Sequence, residues 1–254
     1  MPLLSVIIIT KNEENHISEC LNSVAWCDEI IVVDSGSTDN TVTLCRSFTD
    51  KVFVTKDWLG FGVQKNRALV KATGKWILSI DADERITPAL QQEIKSVIAD
   101  STDCAFRIPR QSRYCGRWIK HSGWSPDYVL RLFRSGCASF TDDLVHERVQ
   151  VLSGEIGTLS TPLLHYSFNS LEEVLEKVNT YSSASAEMQH AKGKKSSLTK
   201  AIFHGLWAFI RTYLLQAGFL EGREGFMLAV SNAEGTYYRY LKLMYLQENI
   251  KNKP

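Results

Sequence analysis

No two cysteines in this chain are spaced C-x-x-C, and the six present, Cys20, Cys27, Cys45, Cys104, Cys115 and Cys137, are scattered. That removes the framework a paired-thiol or zinc-ribbon spacing would announce, and three of the thiols fall inside apolar patterns where a reduced cysteine packs as a small hydrophobe. A reducing, cytoplasmic compartment is the expectation. Charge of one sign is lacking too: 29 basic side chains face 28 acidic ones, a formal net charge of +1, so nothing global argues for a nucleic-acid partner. No basic segment with a cleavable apolar run opens the chain, because Pro2 to Thr10 is too short and runs into Lys11, Asn12, Glu13 and Glu14. A glycine-rich basic loop after this first apolar run is missing as well, which speaks against a nucleotidyltransferase, since TKNEE stands in its place. What remains is an ordinary globular composition, 44% hydrophobic and 22% charged over 254 residues, enough for one large α/β domain with or without an appendage.

The chain is organised around Trp76 to Glu84, WILSIDADE. Its apolar run reads as a parallel-sheet strand buried on both faces, delivering Asp81 and Asp83 at its carboxyl end. Residues i and i+2 of an extended segment point to one side, so the two carboxylates are expected to converge on a hard cation, Mg²⁺ or Mn²⁺, whose shell substrate phosphate oxygens complete. The alternative is that they cap the turn before a helix opened by Thr87 and Pro88. Upstream, LLSVIII (Leu3 to Ile9) and EIIVV (Glu29 to Val33) read as strands, with a third short one at Val52 to Val54. Helical spacing follows each: TKNEENHISECLNSV, capped by Asn12 or Thr10; Asp39 to Phe48, capped by Asp39; and Gly60 to Ala72, closed by Gly74. Strands alternating with helices imply right-handed crossovers and a parallel sheet. Asn12 and Glu13, Asp34, and Asp81 with Asp83 then share the sheet edge where open α/β proteins bind ligands. Asp34 has a structural alternative, an Asx-turn over Gly36.

These segments resemble glycosyltransferase family 2 enzymes of the GT-A fold. The likeness is carried by SVIIITKNEE (Ser5 to Glu14), EIIVVDSGSTDNT (Glu29 to Thr41), QKNRAL (Gln64 to Leu69) and GKWILSIDADE (Gly74 to Glu84), in the family's order. It implies an α/β, Rossmann-like GT-A fold with a mostly parallel central sheet, and a UDP-sugar donor contacted by Thr10, Asn12, Glu13, Asp34, Lys65 and Asp81. Asp34 matches the acid that reads base or ribose, Asp81 lies near ribose and phosphates, and Asp83, with Asp81 beside it, matches the metal ligand. Lys65 stands where the family often has Arg. The chain more narrowly resembles the lipopolysaccharide-core β-1,4-glucosyltransferase group, which places glucose on an inner-core heptose.

The second half carries the acceptor side. Arg110, Arg113, Arg117 and Lys120 alternate with Tyr114, Trp118 and Trp124, a stretch suited to a phosphorylated saccharide or, equally, to a solvated hairpin with its aromatics in the core. YVLRLFR (Tyr128 to Arg134) reads as a strand. Asp142, Asp143, His146 and Glu147 follow; an inverting transfer needs a carboxylate opposite the leaving group, and Glu147 is the expected base with Asp143 as runner-up. The expected organisation is a catalytic domain over 1–166, its nucleotide-sugar half about 1–100 and its acceptor half about 101–166, and a helical extension over 167–254. Within that extension AIFHGLWAFIRTYLLQAGFL (Ala201 to Leu220) is long enough to span a bilayer, but Arg211 would cost about 2.5 to 3.5 kcal/mol at the centre of one. An amphipathic helix with Phe203, Trp207 and Phe209 at an anionic membrane surface, beside Lys192, Lys194 and Lys195, is one expectation. Packing on the catalytic domain or in a homo-oligomer is the other. The rival functions are a phosphatase of the haloacid-dehalogenase type, which Arg85 two residues after Asp83 disfavours; a membrane-associated sugar-nucleotide-binding protein without turnover; and a transferase acting on another cell-surface glycan or lipid-linked sugar.

Overall fold

Seven residues rich in β-branched side chains, Leu4–Thr10, form β1, and all but Ile9 are buried. The computed structural model describes residues 3–141 and 148–251, side chains of 249–251 excepted. In chain order the elements are β1, α1 (Ile17–Val24), β2 (Glu29–Asp34), α2 (Thr41–Arg46), β3 (Val52–Val54), α3 (Phe61–Leu69), β4 (Trp76–Asp81), β5 (Glu84–Arg85), α4 (Pro88–Asp100), β6 (Ala105–Tyr114), β7 (Arg117–Trp118), β8 (Asp127–Arg134), β9 (Ala138–Phe140), β10 (Val149–Val151), β11 (Ile156–Thr158), β12 (Leu163–Phe168), α5 (Leu171–Ala191), α6 (Leu198–Ile210) and α7 (Gly222–Lys251). The chain divides into two compact units, 1–110 with 127–165, and 111–126 with 166–254.

In the first unit the main sheet runs β3-β2-β1-β4-β8-β6-β12-β5. Pairing is parallel from β3 to β4, and β4–β8, β8–β6 and β12–β5 are antiparallel. β9 and β10 make a separate antiparallel pair. The expected α/β architecture is therefore present, its crossover half built from the first ninety residues. β2 is buried along its length and β4 as far as Ile80, as continuous apolar runs between two helical layers must be. Each fully buried Ile, Leu or Val there contributes about 1.5–3 kcal/mol relative to exposure. Glycine appears where backbones crowd: a Cβ on Gly74 would stand 2.7 Å from the Ser5 nitrogen, so Gly74 serves the β4–β1 approach. It does not close α3, which ends at Leu69.

Two local expectations fail for visible reasons. α1 begins only at Ile17 with His16 before it, because Asn12 has a φ of 54° and turns the chain into a loop instead of capping a helix. The extended run expected through Asp83 stops at Asp81; Ala82 and Asp83 form a turn, braced by Arg85, whose Nη1 donates to the Ala82 carbonyl at 2.8 Å.

In the second unit α6 faces α7 with its small side chains. Ala201 and Gly205 are buried, and a Cβ on Gly205 would lie 3.1 Å from the Tyr237 Cβ. His204 stacks on Tyr240 at 4.1 Å between ring centres. The large apolar side chains Ile202, Phe203, Leu206 and Trp207 are left exposed by 52 to 67%. Among the described residues no helix is long and apolar enough to cross a membrane. The stretch 111–126 belongs to this unit: Tyr114 is fully buried and packs on Trp124 and Phe168, Trp118 lies edge-on to Tyr166, and Arg117 pairs with the buried Glu221 at 2.9 Å. Tyr114 and Trp124 turn into the core, as in the hairpin alternative, and Arg117 is paired with the Glu221 carboxylate.

Candidate active site

Strand register assembles the site. Thr10 at the end of β1 pairs with Asp34 at the end of β2, and on the other side of β1 Ile9 pairs with Asp81 at the end of β4. Two strand spacings of about 4.8 Å therefore separate the backbones carrying Asp34 and Asp81. Asp83 lies two residues beyond, in the turn, and Lys65 reaches Asp81 from α3. The expected acids of β2 and β4 do share one edge.

Their environments differ. Asp34 is buried, with Oδ1 accepting the backbone N–H groups of Gly36 and Ser37 at 2.9 and 2.8 Å, and Oδ2 accepting the Thr10 hydroxyl at 3.0 Å and the Ser37 hydroxyl. The Asx-turn over Gly36 is realised. Asn12 closes the same loop from β1: its N–H donates to Ser37 Oγ at 2.8 Å and its Oδ1 accepts the Thr38 N–H at 2.9 Å. The Glu13 N–H donates to Thr41 Oγ1 at 2.8 Å; Asp39 receives the Thr41 N–H at 3.0 Å, but it stands one residue before Asn40, the N-cap of α2, so the expected cap at Asp39 is not formed and Asp39 braces the turn ahead of the helix instead.

Asp81 is gripped by cations. Lys65 Nζ, from a side chain only 4% exposed, lies 3.0 Å from its Oδ1, and Arg131 Nη2 bonds its Oδ2. Burial pushes the Asp81 carboxyl up, but Arg131 and Lys65 outweigh it and hold the group far below the usual carboxylate range. Glu84, fully buried, is the hub behind this: it accepts the Asp81 N–H at 2.9 Å, Arg131 at 2.7 Å and Arg110 at 3.5 Å. Asp83 has a different partner, His165 Nε2 on β12, 3.2 Å from its Oδ2. Asp143, His146 and Glu147 lie outside the described residues.

Asp81 and Lys65 stand at the wall of a cleft of about 560 Å³. Its other walls are Arg107 and Arg110 of β6, Tyr128, Val129, Leu130 and Arg131 of β8, Phe140 of β9, Arg148, Val149 and Val151 at β10, and Ile156. Sequence reasoning missed Arg131, Glu84, Arg107, Arg148 and His165 as site residues. Arg131 carried a signal, a charge in an otherwise apolar strand, and His165 carried none beyond its residue type.

Comparison with known proteins identifies the family. The family described as Glycosyl transferase family 2 matches residues 5–154. A glycosyltransferase of Rickettsia typhi is 33% identical over 264 residues, covering 99% of this chain and 90% of that one. The lipopolysaccharide core biosynthesis glycosyltransferase LpsC of Rhizobium meliloti is 33% identical over 263 residues, covering 99% and 95%. Among solved structures, residues 1–349 of S. aureus TarS in complex with UDP-GlcNAc superpose with a TM-score of 0.51 at 18% identity, covering 97% of this chain and 92% of that one, a likeness of fold. With more than half of its length matched by the family, and near full-length relatives at a third identity, this chain belongs to glycosyl transferase family 2 and adopts a GT-A-like fold.

Proposed function

We propose that this protein transfers a hexose, glucose in the first instance, from a UDP-sugar to a saccharide acceptor such as the inner-core heptose of lipopolysaccharide, with inversion and with Mg²⁺ or Mn²⁺ bound. The observation that carries the reading is the register placing Thr10, Asp34 and Asp81 on three neighbouring strand ends, with the Asp83–His165 pair one turn beyond. LpsC, named for lipopolysaccharide core biosynthesis, supports the acceptor class, and TarS, solved with UDP and UDP-GlcNAc, supports a uridine donor.

Asp34 acts on the nucleoside through the loop it folds, since its oxygens are already engaged by that loop and by Thr10; Asn12 and Glu13 anchor the same loop. The residues present fit a divalent ion at Asp83 and His165. One carboxylate oxygen and one imidazole nitrogen face each other at 3.2 Å on partly exposed side chains; the carboxylate is the ligand type that suits Mg²⁺ and Mn²⁺, and since no group of three or more His, Cys, Asp or Glu gathers among the described residues, substrate oxygens and water would complete the shell. When bound, the ion offsets the charge developing on the departing diphosphate. Asp81, neutralised by Lys65 and Arg131, fixes those cations toward the ribose and phosphates more than it serves as a second ligand. Glu147, or Asp143 as runner-up, takes the acceptor proton; the flanking Phe140, Arg148 and Val149 line the cleft that Asp81 borders, which favours an acid from this segment. Exposed Phe203 and Trp207 on α6, close in sequence to Lys194, Lys195 and Lys200, dock the second unit on an anionic lipid surface, because the packing face of α6 is its small one.

A panel of UDP-sugars offered with truncated heptose-containing acceptors, with and without divalent cation, tests the assignment. Transfer from UDP-glucose that stops on cation removal is expected. Binding without hydrolysis or transfer of any donor refutes it in favour of a non-catalytic sugar-nucleotide-binding protein.

A further inference from the structure

Among the described residues the cleft beside Asp81 is lined by five basic side chains, Lys65, Arg107, Arg110, Arg131 and Arg148, and by one carboxylate, Asp81. Lys65 and Arg131 are held by Asp81, Arg131 also by Glu84, and Arg110 by Asp127 at 2.8 Å. Arg107 of β6 and Arg148, which leads into β10, are exposed and make no ion pair or side-chain hydrogen bond among the described residues, yet both border the same cleft. Guanidinium groups gathered around a cleft raise the local potential and select an anion. The donor's diphosphate is not the natural candidate. The acids implied for nucleotide and metal sit at the ends of β2 and β4 and in the turn after β4, whereas Arg107 lies two strands further on, across β8, and Arg148 comes from the separate β9–β10 pair. An anion there travels with the other substrate.

We infer that Arg107 and Arg148 form an anion subsite for the acceptor, so that the saccharide this protein glycosylates is acidic, bearing a phosphate monoester or a carboxylate near the hydroxyl that receives the hexose. The inference rests on the glycosyltransferase reading and names its substrate class. Both anions suit a guanidinium fork, which bonds planar or tetrahedral oxygens in pairs. Arg110, pinned by Asp127 and Glu84, adds field without being free to follow the ligand, and Tyr128, half exposed on β8, offers a ring face to the sugar.

The test is calorimetric binding, in the presence of UDP and Mn²⁺, of three heptosides identical except for a neutral, a phosphorylated or a carboxylated substituent. The expected result is that one acidic heptoside binds about tenfold or more tightly than the neutral one. The double variant Arg107→Ala/Arg148→Ala removes that preference and leaves UDP affinity within about twofold, while Arg107→Lys/Arg148→Lys keeps part of it. Whether the phosphate or the carboxylate is preferred identifies the group. Equal binding of neutral and acidic heptosides by the unaltered protein overturns the inference, and so does a parallel fall in UDP affinity in the double variant, which would return the arginines to the donor. Failure of every UDP-sugar to react would overturn the enzymatic reading instead, and it is read in a separate assay.

Discussion

Two aspartates flank β1 at the same sheet edge, one ending β2 and one ending β4, and their surroundings are opposite in kind. Asp34 is wrapped by neutral donors, two backbone N–H groups and two hydroxyls, all from its own loop and from Thr10. Asp81 meets two full positive charges that come from α3 and β8. Neutral donors a few residues away fix a loop's shape and add little field. Cations brought from distant elements make a site whose charge depends on the whole sheet being assembled. The β2 end is thus a local fold and the β4 end a tertiary electrostatic device, and each can be broken separately.

The largest effect is expected one turn beyond Asp81. Asp83→Ala takes away the charged donor for the divalent ion and exhaustive chelation takes away the ion itself; in either case transfer should fall by about 10³-fold or more, the size of loss typical when stabilisation of a developing negative charge is removed. His165→Ala should fall in the same direction and respond more to Mn²⁺ concentration than Asp83→Ala does, since it keeps the charged carboxylate donor whereas Asp83→Ala keeps only a neutral imidazole. Undiminished turnover in a strong chelator sinks the metal role. Next comes Asp81→Asn, which removes the carboxylate charge that Lys65 and Arg131, with side chains 4 and 8% exposed, share, and leaves Glu84 as the acid beside Arg131. Breaking a buried pair on one side costs about 3–5 kcal/mol, and urea unfolding should report a loss in that range. A loss below about 1 kcal/mol would mean that the β4 end is solvated like a surface ion pair and that the contrast with Asp34 is false.

The same contrast explains what could be read before any coordinates. β1, β2 and β4 are short apolar runs whose period and bounding residues speak for themselves, so the edge on which Asp34 and Asp81 meet was legible. The DSGS loop was legible too, because its bonds stay within a few residues or cross to the neighbouring β1. Asp81's partner Arg131 was not, since it arrives through antiparallel pairing of β8 with β4, and no local periodicity records which strand a charge will oppose. His165 comes to Asp83 by the pairing of β12 with β5, across some eighty residues of chain. Arg117 is a related case: its partner Glu221 is buried in a segment that follows much later in the chain, which no local pattern announces.

β2 itself sharpens the comparison, because its other end carries Glu29. This carboxylate is buried and bonded by Lys51, by the Ser5 hydroxyl and by Thr73 through N–H and Oγ1 at 2.8 and 2.9 Å. Burial raises its pKa, but the hydrogen bonds from Lys51, Ser5 and Thr73 prevail and lower it from the ordinary 4.5 to about 2. A group depressed in the folded state stabilises fully above its unfolded pKa, and that contribution fades as pH falls from about 4.5 through 2. Glu29→Gln should therefore lose about 3 kcal/mol at pH 7, with the difference from the unaltered protein closing toward pH 2. A pH-independent difference would assign the loss to packing alone.

The smallest effect belongs to Asp34→Asn, and it is the sharpest discriminator between a loop-shaping and a ligand-contacting acid. The amide oxygen can keep both N–H bonds from Gly36 and Ser37, and the amide nitrogen can donate to the Thr10 and Ser37 hydroxyls, which rotate to accept. Stability should drop by about 1 kcal/mol, the net worth of weakened rather than orphaned bonds. If Asp34 works through the loop, UDP affinity in Asp34→Asn stays within about threefold, whereas Asp34→Ala, which strands the loop's buried donors, loses tenfold or more. If Asp34 instead bonds the nucleoside directly, its charge matters and the Asn variant already loses most of that affinity. Isothermal titration of UDP into the two variants separates these cases, because only a carboxylate that touches the ligand distinguishes a lost charge from a lost shape.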